Sequence, residues 1–245
     1  KLKGAKEALD ITKKDLEKLK LQEDKFRVEE EKKRARVERK KEWYEKFHWF
    51  ISSEGFLCIG GKDATSNEIV VKKHMDKEDI VLHTDMAGSP FFVVKNGQEA
   101  SEQTIKEAAQ AVAVYSRAWK LGHATADVFY VKPEQVTKEA KAGEALAKGS
   151  FMVYGKTKYF HPRLEYCIGL LDAEKSGISG TASDGEQIIG GPLEAVKSRT
   201  KNYLVVISGK EKKSSLAKKI KSKLKGGDLD EIIKFLPAGG GMIKK

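Results

Sequence analysis

The sequence changes character at about residue 46, and this boundary limits the possible folds more than any other feature. Of the first 42 residues, 16 are Lys or Arg and 11 are Asp or Glu, with no Pro and a single Gly. This composition predicts a long solvated helix. From Phe47 onward, short apolar runs alternate with Gly, Asp and Asn, as in globular proteins. We therefore expect a helical arm over residues 1–46 and a globular domain over residues 47–245.

The apolar residues of the arm repeat at the heptad spacing of a left-handed coiled coil. The two rows comprise Leu2, Leu9 and Leu16, and Ala5, Thr12, Leu19 and Phe26. After residue 26 the rows reach charged residues, so the predicted seam is short. Because the sequence begins at Lys1 rather than Met, we expect a partner helix from a missing N-terminal part of the protein, or else from a second chain.

The globular part mixes strands and helices without strict alternation. This pattern favours an α+β fold, with a mixed β-sheet and flanking helices, over a doubly wound fold. Asp63 and Thr65 lie where a helix cap belongs, and Thr65 with Glu68, like Ser208 with Glu211, fits a capping box. The predicted strands span residues 56–59, 80–84, 91–95, 128–131, 151–154, 164–171, 187–189 and 203–207. The longer predicted helices span residues 65–74, 101–120, 211–224 and 228–235.

The charge balance points to an anionic partner. Lys and Arg number 47 against 36 Asp and Glu, which gives a net charge of +11 and a pI near 9.4. Such an excess favours nucleic acid or an anionic membrane surface. No apolar run reaches the roughly 18 to 20 residues that span a bilayer. Cys58 and Cys167 form neither a disulfide framework nor a metal-ligand spacing, so we expect a cytoplasmic protein without a metal or cofactor.

Most of the excess charge lies in the C-terminal extension, over about residues 164–245. Between Lys197 and Lys225 there are 11 Lys or Arg and one acid, Glu211, so 11 minus 1 gives +10. On the predicted helix, Lys212, Lys219 and Lys223 lie along one side and are expected to project together. Clustered cations attract phosphates by counterion release. The alternative is a lysine-rich surface with no ligand, as in proteins from thermophiles.

Two further segments combine groups suited to phosphates or bases. Residues 60–73 read GGKDATSNEIVVKK, which is either a structural strand-turn-helix junction or a turn whose backbone meets a phosphate. Residues 149–163 interleave basic and aromatic side chains, which can clamp a backbone and stack a base, or else contribute core and ordinary loop charges. The expected RNA contacts are Lys62, Lys72, Lys73, Lys156, Lys158, Arg163, Lys212, Lys213, Lys219 and Lys223.

His83 and Asp85 are two residues apart on a predicted strand and so face the same side. Such a pair can act as a base with its orienting carboxylate, or bind a metal with further ligands. The alternative is a partly buried histidine held by Asp85 or by a nearby carbonyl, and this is the favoured interpretation because no other histidine has ligand spacing.

Four ordered segments carry a resemblance to a known family. They are GKDATSNE at 61–68 with Lys72, DIVLHTDMAGSPFFVVKNG at 79–97, AAQAVAVYSRAW at 108–119 and VFYVKPEQVTKEAKAGEALAKGSFMVYGK at 128–156. Together they resemble the NFACT-R domain of the NFACT family, whose members include bacterial RqcH and animal NEMF. The charged arm resembles the end of the family's coiled coil, and the C-terminal extension resembles that of archaeal members.

The resemblance implies a binding factor rather than an enzyme. Family members bind the large ribosomal subunit carrying a stalled nascent chain and recruit tRNA, while the ribosome itself makes the peptide bonds. The expected partners are therefore tRNA, rRNA and the large ribosomal subunit. The residues that carry over from the family form a polar cluster with Lys72, namely Asp63, Asn67, Glu68, His83, Asp85, Gly88 and Ser89.

Two other functions stay open on the residues alone. In the first, the coiled coil docks on a ribosomal protein and the globular domain is a protein-interaction scaffold. In the second, the least favoured, His83 and Asp85 serve a hydrolase.

Overall fold

The computed structural model describes residues 12–24, 27, 42–139, 146–172 and 186–244. The chain divides into two compact units, the first containing residues 1–40 and the second containing most of the rest. Within the described ranges, no helix combines the length and the apolarity that a bilayer crossing requires.

The first unit contributes helix α1, residues 12–24. Its Leu16, Leu19 and Leu21 side chains are exposed by 52%, 60% and 61%. Thr12 of the predicted seam also lies in α1, whereas Leu2, Ala5, Leu9 and Phe26 lie outside the described residues. The coiled coil and its partner helix therefore stay predictions.

The second unit is an α+β structure with two principal sheets. The first sheet has six strands in the order β1-β2-β4-β3-β5-β8: β1 (His48–Ile51), β2 (Leu57–Gly60), β3 (Ile80–His83), β4 (Phe92–Val94), β5 (Val128–Val131) and β8 (Lys158–Phe160). The second has four strands in the order β10-β9-β11-β12: β9 (Glu165–Asp172), β10 (Glu186–Gly191), β11 (Tyr203–Glu211) and β12 (Gly241–Ile243). A small ribbon pairs β6 (Val136–Thr137) with β7 (Met152–Val153).

The α+β class is confirmed, but the predicted mixed sheet is wrong. Every strand pairing among the described residues is antiparallel. Apolar periodicity shows which residues are strands but not the direction in which each strand meets its neighbour, so the sequence could not distinguish the two arrangements.

In the described parts of this unit, six helices accompany the sheets. They are α2 (Ala64–Lys73), α3 (Glu102–Tyr115), α4 (Arg117–Leu121), α5 (Leu193–Lys197), α6 (Lys213–Leu224) and α7 (Leu229–Phe235). Short 3-10 helices cover Trp43–Lys46 and Pro133–Gln135. The single helix predicted over residues 101–120 is two helices, because Ser116 is extended at φ −79 and ψ 173 and its hydroxyl accepts a hydrogen bond from the Ala118 N–H.

Helix α3 is the centre of the main core. It contacts β3, β4 and β5 of the first sheet and β9 of the second. Its small buried residues, such as Ala108 and Ala111, allow both sheets to approach its backbone. On the other face of the first sheet, α2 buries Val70 and Val71 in a second apolar cluster.

The C-terminal extension is bound tightly to the rest of the unit. The Tyr115 hydroxyl lies 2.7 Å from the Tyr166 hydroxyl and donates to the Phe235 carbonyl oxygen, also at 2.7 Å. The Trp119 indole N–H donates to the Gly240 carbonyl oxygen at 2.9 Å. These bonds fix the extension against α3 and α4, and so fix the position of α6 and α7.

Both predicted capping boxes are wrong. At α2 the cap is Asp63, whose carboxylate accepts from the Ser66 N–H at 2.8 Å, while Glu68 has other partners. At α6 the strand β11 continues to Glu211, and Ser208 instead donates its hydroxyl proton to the Trp119 carbonyl oxygen at 2.8 Å. In both cases a side chain assigned to a capping box bonds instead to a residue distant in sequence: Glu68 to Gly149, and Ser208 to Trp119.

Candidate nucleic-acid interface

Two consecutive residues of α2 hold opposite parts of a cavity. Asn67 holds the turn at residues 86–90: its Nδ2 donates to the Ser89 carbonyl oxygen at 3.3 Å, and its Oδ1 accepts from the Phe91 N–H at 3.0 Å. A Cβ at Gly61 would collide with Asn67, so glycine is required there. The predicted cluster residues Asn67 and Ser89 are therefore in direct contact.

Glu68 holds the other part of the cavity. Its carboxylate accepts from the Gly149 N–H at 3.0 Å and forms ion pairs with Lys72 at 2.6 Å and Lys138 at 3.4 Å. The hydrogen bond from Lys72, followed by that from Gly149, lowers the pKa of Glu68 to about 2. Lys138 also donates to the Ala147 carbonyl oxygen at 3.0 Å, which fixes the loop before β7.

Between these parts lies a cavity of about 440 Å³. It brings together most of the polar cluster expected from the sequence. The residues of this cluster come from segments that are separated along the chain by more than one strand. The predicted residues among its lining are Lys62, Asp63, Asn67, His83, Gly88 and Ser89. Lining residues that sequence reasoning missed include His48, Tyr115, Lys148 and Phe151.

His83 is a structural histidine at the cavity wall. Its Nδ1 lies 2.9 Å from the Pro90 carbonyl oxygen, and its ring stacks on Phe91 with centroids 3.9 Å apart. Burial lowers its pKa, so the ring is neutral at pH 7. Asp85 is exposed and accepts from the Tyr159 hydroxyl at 3.2 Å. The two side chains thus have separate hydrogen-bond partners, and the carbonyl holds the histidine, as the favoured interpretation predicts.

His48 enters the cavity from β1, stacked on Tyr115 with ring centroids 3.7 Å apart. Burial, followed by the positive charges of Lys62 and Lys213, lowers its pKa to about 3. No local motif marks this histidine, because Tyr115 is 67 positions away and Lys213 further still. Its role could be found only once the chain was folded.

Three lysines from separate segments influence this region: the charges of Lys62 and Lys213 act on His48, and the charge of Lys234 acts on Lys62. Lys62 precedes α2, Lys213 begins α6, and Lys234 lies in α7. Desolvation and the charge of Lys234 lower the pKa of Lys62, and desolvation and the charge of Lys62 lower the pKa of Lys213. Among the described residues, none of the three has an ion pair. We call Lys62, Lys213 and Lys234 the lysine triad.

The other predicted lysines of α2 and α6 differ in availability. Lys72 pairs with Glu68, and Lys219 pairs with Glu211 at 2.9 Å, so their charges are partly compensated within the protein. Lys73, Lys212 and Lys223 are exposed and form no ion pair within the described ranges. Lys212, Lys219 and Lys223 are all exposed, but the charge of Lys219 is shared with Glu211, and their role as RNA contacts stays a prediction.

A second, more open groove of about 770 Å³ runs along the edge strand β8. It brings the predicted Lys156 and Lys158 together with Tyr130 and Phe160, whose rings stack with centroids 5.7 Å apart. The Lys158 amine lies 5.9 Å from the centre of the Tyr130 ring. Arg163 is exposed but does not line this groove.

Metal ligands do not cluster in the described part of the chain: no group of three or more His, Cys, Asp or Glu side chains lies within coordinating reach. The functional groups of the candidate interface are lysine amines, imidazoles and aromatic rings.

Comparison with known proteins gives a family for this arrangement. Residues 46–155 match the family model described as NFACT protein RNA binding domain. An archaeal Rqc2 homolog, aRqcH, from Methanocaldococcus jannaschii is 41% identical over 84% of this chain and 30% of its own length. The ribosome quality control complex subunit NEMF homolog of Drosophila melanogaster is 43% identical over 52% of this chain and 13% of its own length.

A solved structure is also similar, the C-terminal part of the fibronectin/fibrinogen-binding protein from Streptococcus suis. It has a TM-score of 0.41 and 16% identity, and the match covers 47% of this chain and 44% of that one. This likeness carries no argument. The chain spans less than a third of the length of the curated relatives named above. It contains an NFACT-R domain and is homologous to archaeal aRqcH and to the NEMF and Rqc2 ribosome quality control proteins.

Proposed function

We propose that this chain is the RNA-binding part of a cytoplasmic ribosome-associated quality control factor, which binds the large ribosomal subunit and tRNA. The observation that carries the proposal is the family match over residues 46–155, joined to homology that extends over 84% of the chain. The names of the relatives supply the ribosome quality control context, and the NFACT-R domain supplies the RNA-binding role.

The distribution of charge supports RNA as the partner. The lysine triad brings three amines together without an ion pair among the described residues, and desolvation and a neighbouring amine lower the pKa of Lys62 and of Lys213. An RNA phosphate relieves such repulsion and releases counterions on binding. Lys212 and Lys223 continue the exposed charge along α6.

The groove along β8 supports a contact with unpaired bases. Tyr159 is 45% exposed beside Lys156 and Lys158, and Tyr154 is exposed to the same extent just before them. Aromatic rings next to amines suit single-stranded RNA, because the rings stack on bases and the amines meet phosphates. We therefore propose two contact regions, one at the lysine triad and one at this groove.

The proposed role is binding rather than catalysis. The imidazole of His83 is held by a backbone carbonyl, and Asp85 bonds to Tyr159, so the two do not form an acid–base pair. In this proposal the chain positions RNA, needs no cofactor, and leaves peptide-bond formation to the ribosome.

Crosslinking of the chain to purified large subunits and to tRNA, with mapping of both sides of each crosslink, tests this function. We expect crosslinks to RNA from the segments around Lys62, Lys158 and Lys213, and we expect ribonuclease or high salt to abolish retention on the subunit. Retention that survives both treatments would contradict RNA binding and would favour docking on a ribosomal protein.

A further inference from the structure

The cavity between the turn at residues 86–90 and the loop before β7 has two kinds of lining. Lys62 and Lys148 contribute cationic amines, while Tyr115 and Phe151 contribute aromatic surface. Its volume of about 440 Å³ lies in the range of small-molecule sites, about 300 to 1,000 Å³. A ligand that matches both linings carries a negative charge at one end and a flat ring system at the other.

On the basis of the RNA-binding function proposed above, we propose that this cavity binds one unpaired nucleotide of an RNA chain. Lys62 and Lys148 meet its phosphate, and the aromatic lining surrounds its base. Unpaired bases are the usual targets of specific RNA recognition, because their faces and edges are free.

Two imidazoles give the cavity hydrogen-bonding groups suited to a base edge. His83 directs Nδ1 to the Pro90 carbonyl oxygen, which makes Nδ1 the donor and leaves Nε2 as an acceptor. His48 stacks on Tyr115 and forms no hydrogen bond within the described part of the chain. Burial lowers the pKa of both rings, so both are neutral: His83 offers an acceptor at Nε2, and His48 offers one donor and one acceptor.

One carboxylate, that of Asp63, is among the lining residues. It is engaged in the cap of α2, where it accepts from the N–H and the hydroxyl of Ser66 at 2.8 and 2.9 Å. The charge of Lys148 adds to these bonds in lowering its pKa. The two lining amines and the two further triad lysines outweigh this single negative charge.

The surroundings favour a nucleotide within a chain over a free nucleotide. Lys213 and Lys234 lie beside Lys62 but do not line the cavity. They extend the positive charge beyond the volume that one nucleotide fills. Amines placed in this way suit the phosphates on either side of a bound nucleotide.

Calorimetric titration of the full chain with AMP, CMP, adenosine and inorganic phosphate tests the cavity. We expect AMP or CMP to bind saturably, and adenosine and phosphate each to bind at least about tenfold more weakly, because each lacks one of the two contacts. Lys62→Gln should weaken the nucleotide about tenfold. The matched control Lys77→Gln, at an exposed lysine outside the cavity lining, should change it less than about twofold.

Three results would overturn the inference: no saturable binding of either nucleotide, phosphate binding as tight as AMP, or equal weakening by the two variants. The His48 ring signals in a proton–carbon NMR spectrum give a second measurement. They should shift on addition of AMP and stay unchanged on addition of adenosine at the same concentration. Unfolding curves of both variants establish that each is folded.

A second arm separates this inference from the proposed function. A labelled single-stranded RNA is titrated with the chain, and AMP is added as a competitor. We expect competition, and weaker RNA binding by Lys62→Gln than by Lys77→Gln. If AMP binds without competing, the site is not an RNA site and the inference fails. If RNA and tRNA bind but no nucleotide does, the inference fails alone; if neither RNA binds, the proposed function fails.

Discussion

Asn67 shows how a single buried amide can organise a binding surface. Its two hydrogen bonds satisfy the Ser89 carbonyl and the Phe91 N–H, both at the turn that borders the cavity. The next residue, Glu68, holds the opposite loop through the Gly149 N–H. The shape of the cavity therefore depends on two adjacent side chains, one of which is buried.

Replacing Asn67 by Ala should lower the free energy of unfolding by about 1 to 3 kcal/mol, because two backbone groups lose their partners. The control is Thr65→Ala, an exposed position in the first turn of the same helix. Urea unfolding of both variants measures the difference. A loss for Asn67→Ala no larger than that for Thr65→Ala would show that the amide does not hold the turn.

His48 should make stability depend on pH. Burial and the charges of Lys62 and Lys213 lower its folded-state pKa to about 3, below the ordinary histidine value of 6.5. The unfolded state therefore binds a proton first, so the stabilisation is complete above pH 6.5 and is lost as the pH falls toward 3.

Between pH 7 and pH 5, this single group should cost about 2 kcal/mol of unfolding free energy. His48→Phe retains a ring beside Tyr115 and cannot titrate, so its stability should fall by about 2 kcal/mol less over the same interval. Urea unfolding at both pH values measures this. Equal losses in the two proteins would refute the assignment.

At the scale of elements, the sequence predicted most strands and helices but not their ends or partners. The strand Val128–Val131 is where apolar periodicity places it. The helix break at Ser116 was missed because the hydroxyl of Ser116 replaces a backbone partner without any Gly or Pro signal. Ser208 was misassigned as a cap because its partner, the Trp119 carbonyl, is distant in sequence.

The sequence predicted only part of the candidate interface, because contacts between residues distant in sequence form the rest. Lys62 and Lys213 were recognisable as basic residues, but their proximity depends on the packing of the C-terminal extension on α3. Lys234 and His48 had no local signal at all. Residue type suggests that a lysine can meet a phosphate, whereas only tertiary structure decides which lysines are already paired with acids.

Helix α6 provides a test of whether an ion pair within the protein reduces the contribution of a lysine to RNA binding. Lys219 pairs with Glu211, whereas Lys223, one turn further on, is exposed and forms no ion pair within the described residues. Lys223→Gln should weaken tRNA binding about threefold at low salt, and Lys219→Gln should have a smaller effect. Fluorescence anisotropy with labelled tRNA measures both. A larger effect of Lys219→Gln would contradict the role given to the ion pair.

At the scale of the whole molecule, the segment matched by the family model and the C-terminal extension share one core. Trp119 from α4, Tyr166 from β9 and Ile220 from α6 are buried in the same cluster. Residues from both sides of residue 160 also meet in the lysine triad. Folding and the proposed binding surface therefore depend on the same packing.

A fragment ending at residue 163 should fail to fold cooperatively. Removing the extension exposes the face of α3 and α4 that carries Tyr115 and Trp119, and it leaves their polar groups without partners. Near-ultraviolet circular dichroism and urea unfolding compare this fragment with the full chain. A cooperative transition of similar stability would show that the two parts have separate cores.

The salt dependence of tRNA binding tests the central claim, that the lysine triad, which has no ion pair among the described residues, meets phosphates. The variant replaces all three triad lysines by Gln. The control replaces Lys72, Lys106 and Lys219, which each form an ion pair. If each triad amine displaces one counterion, the slope of log K against log salt should become about two units less steep in the variant and change little in the control. Equal slopes for the two variants would contradict the claim.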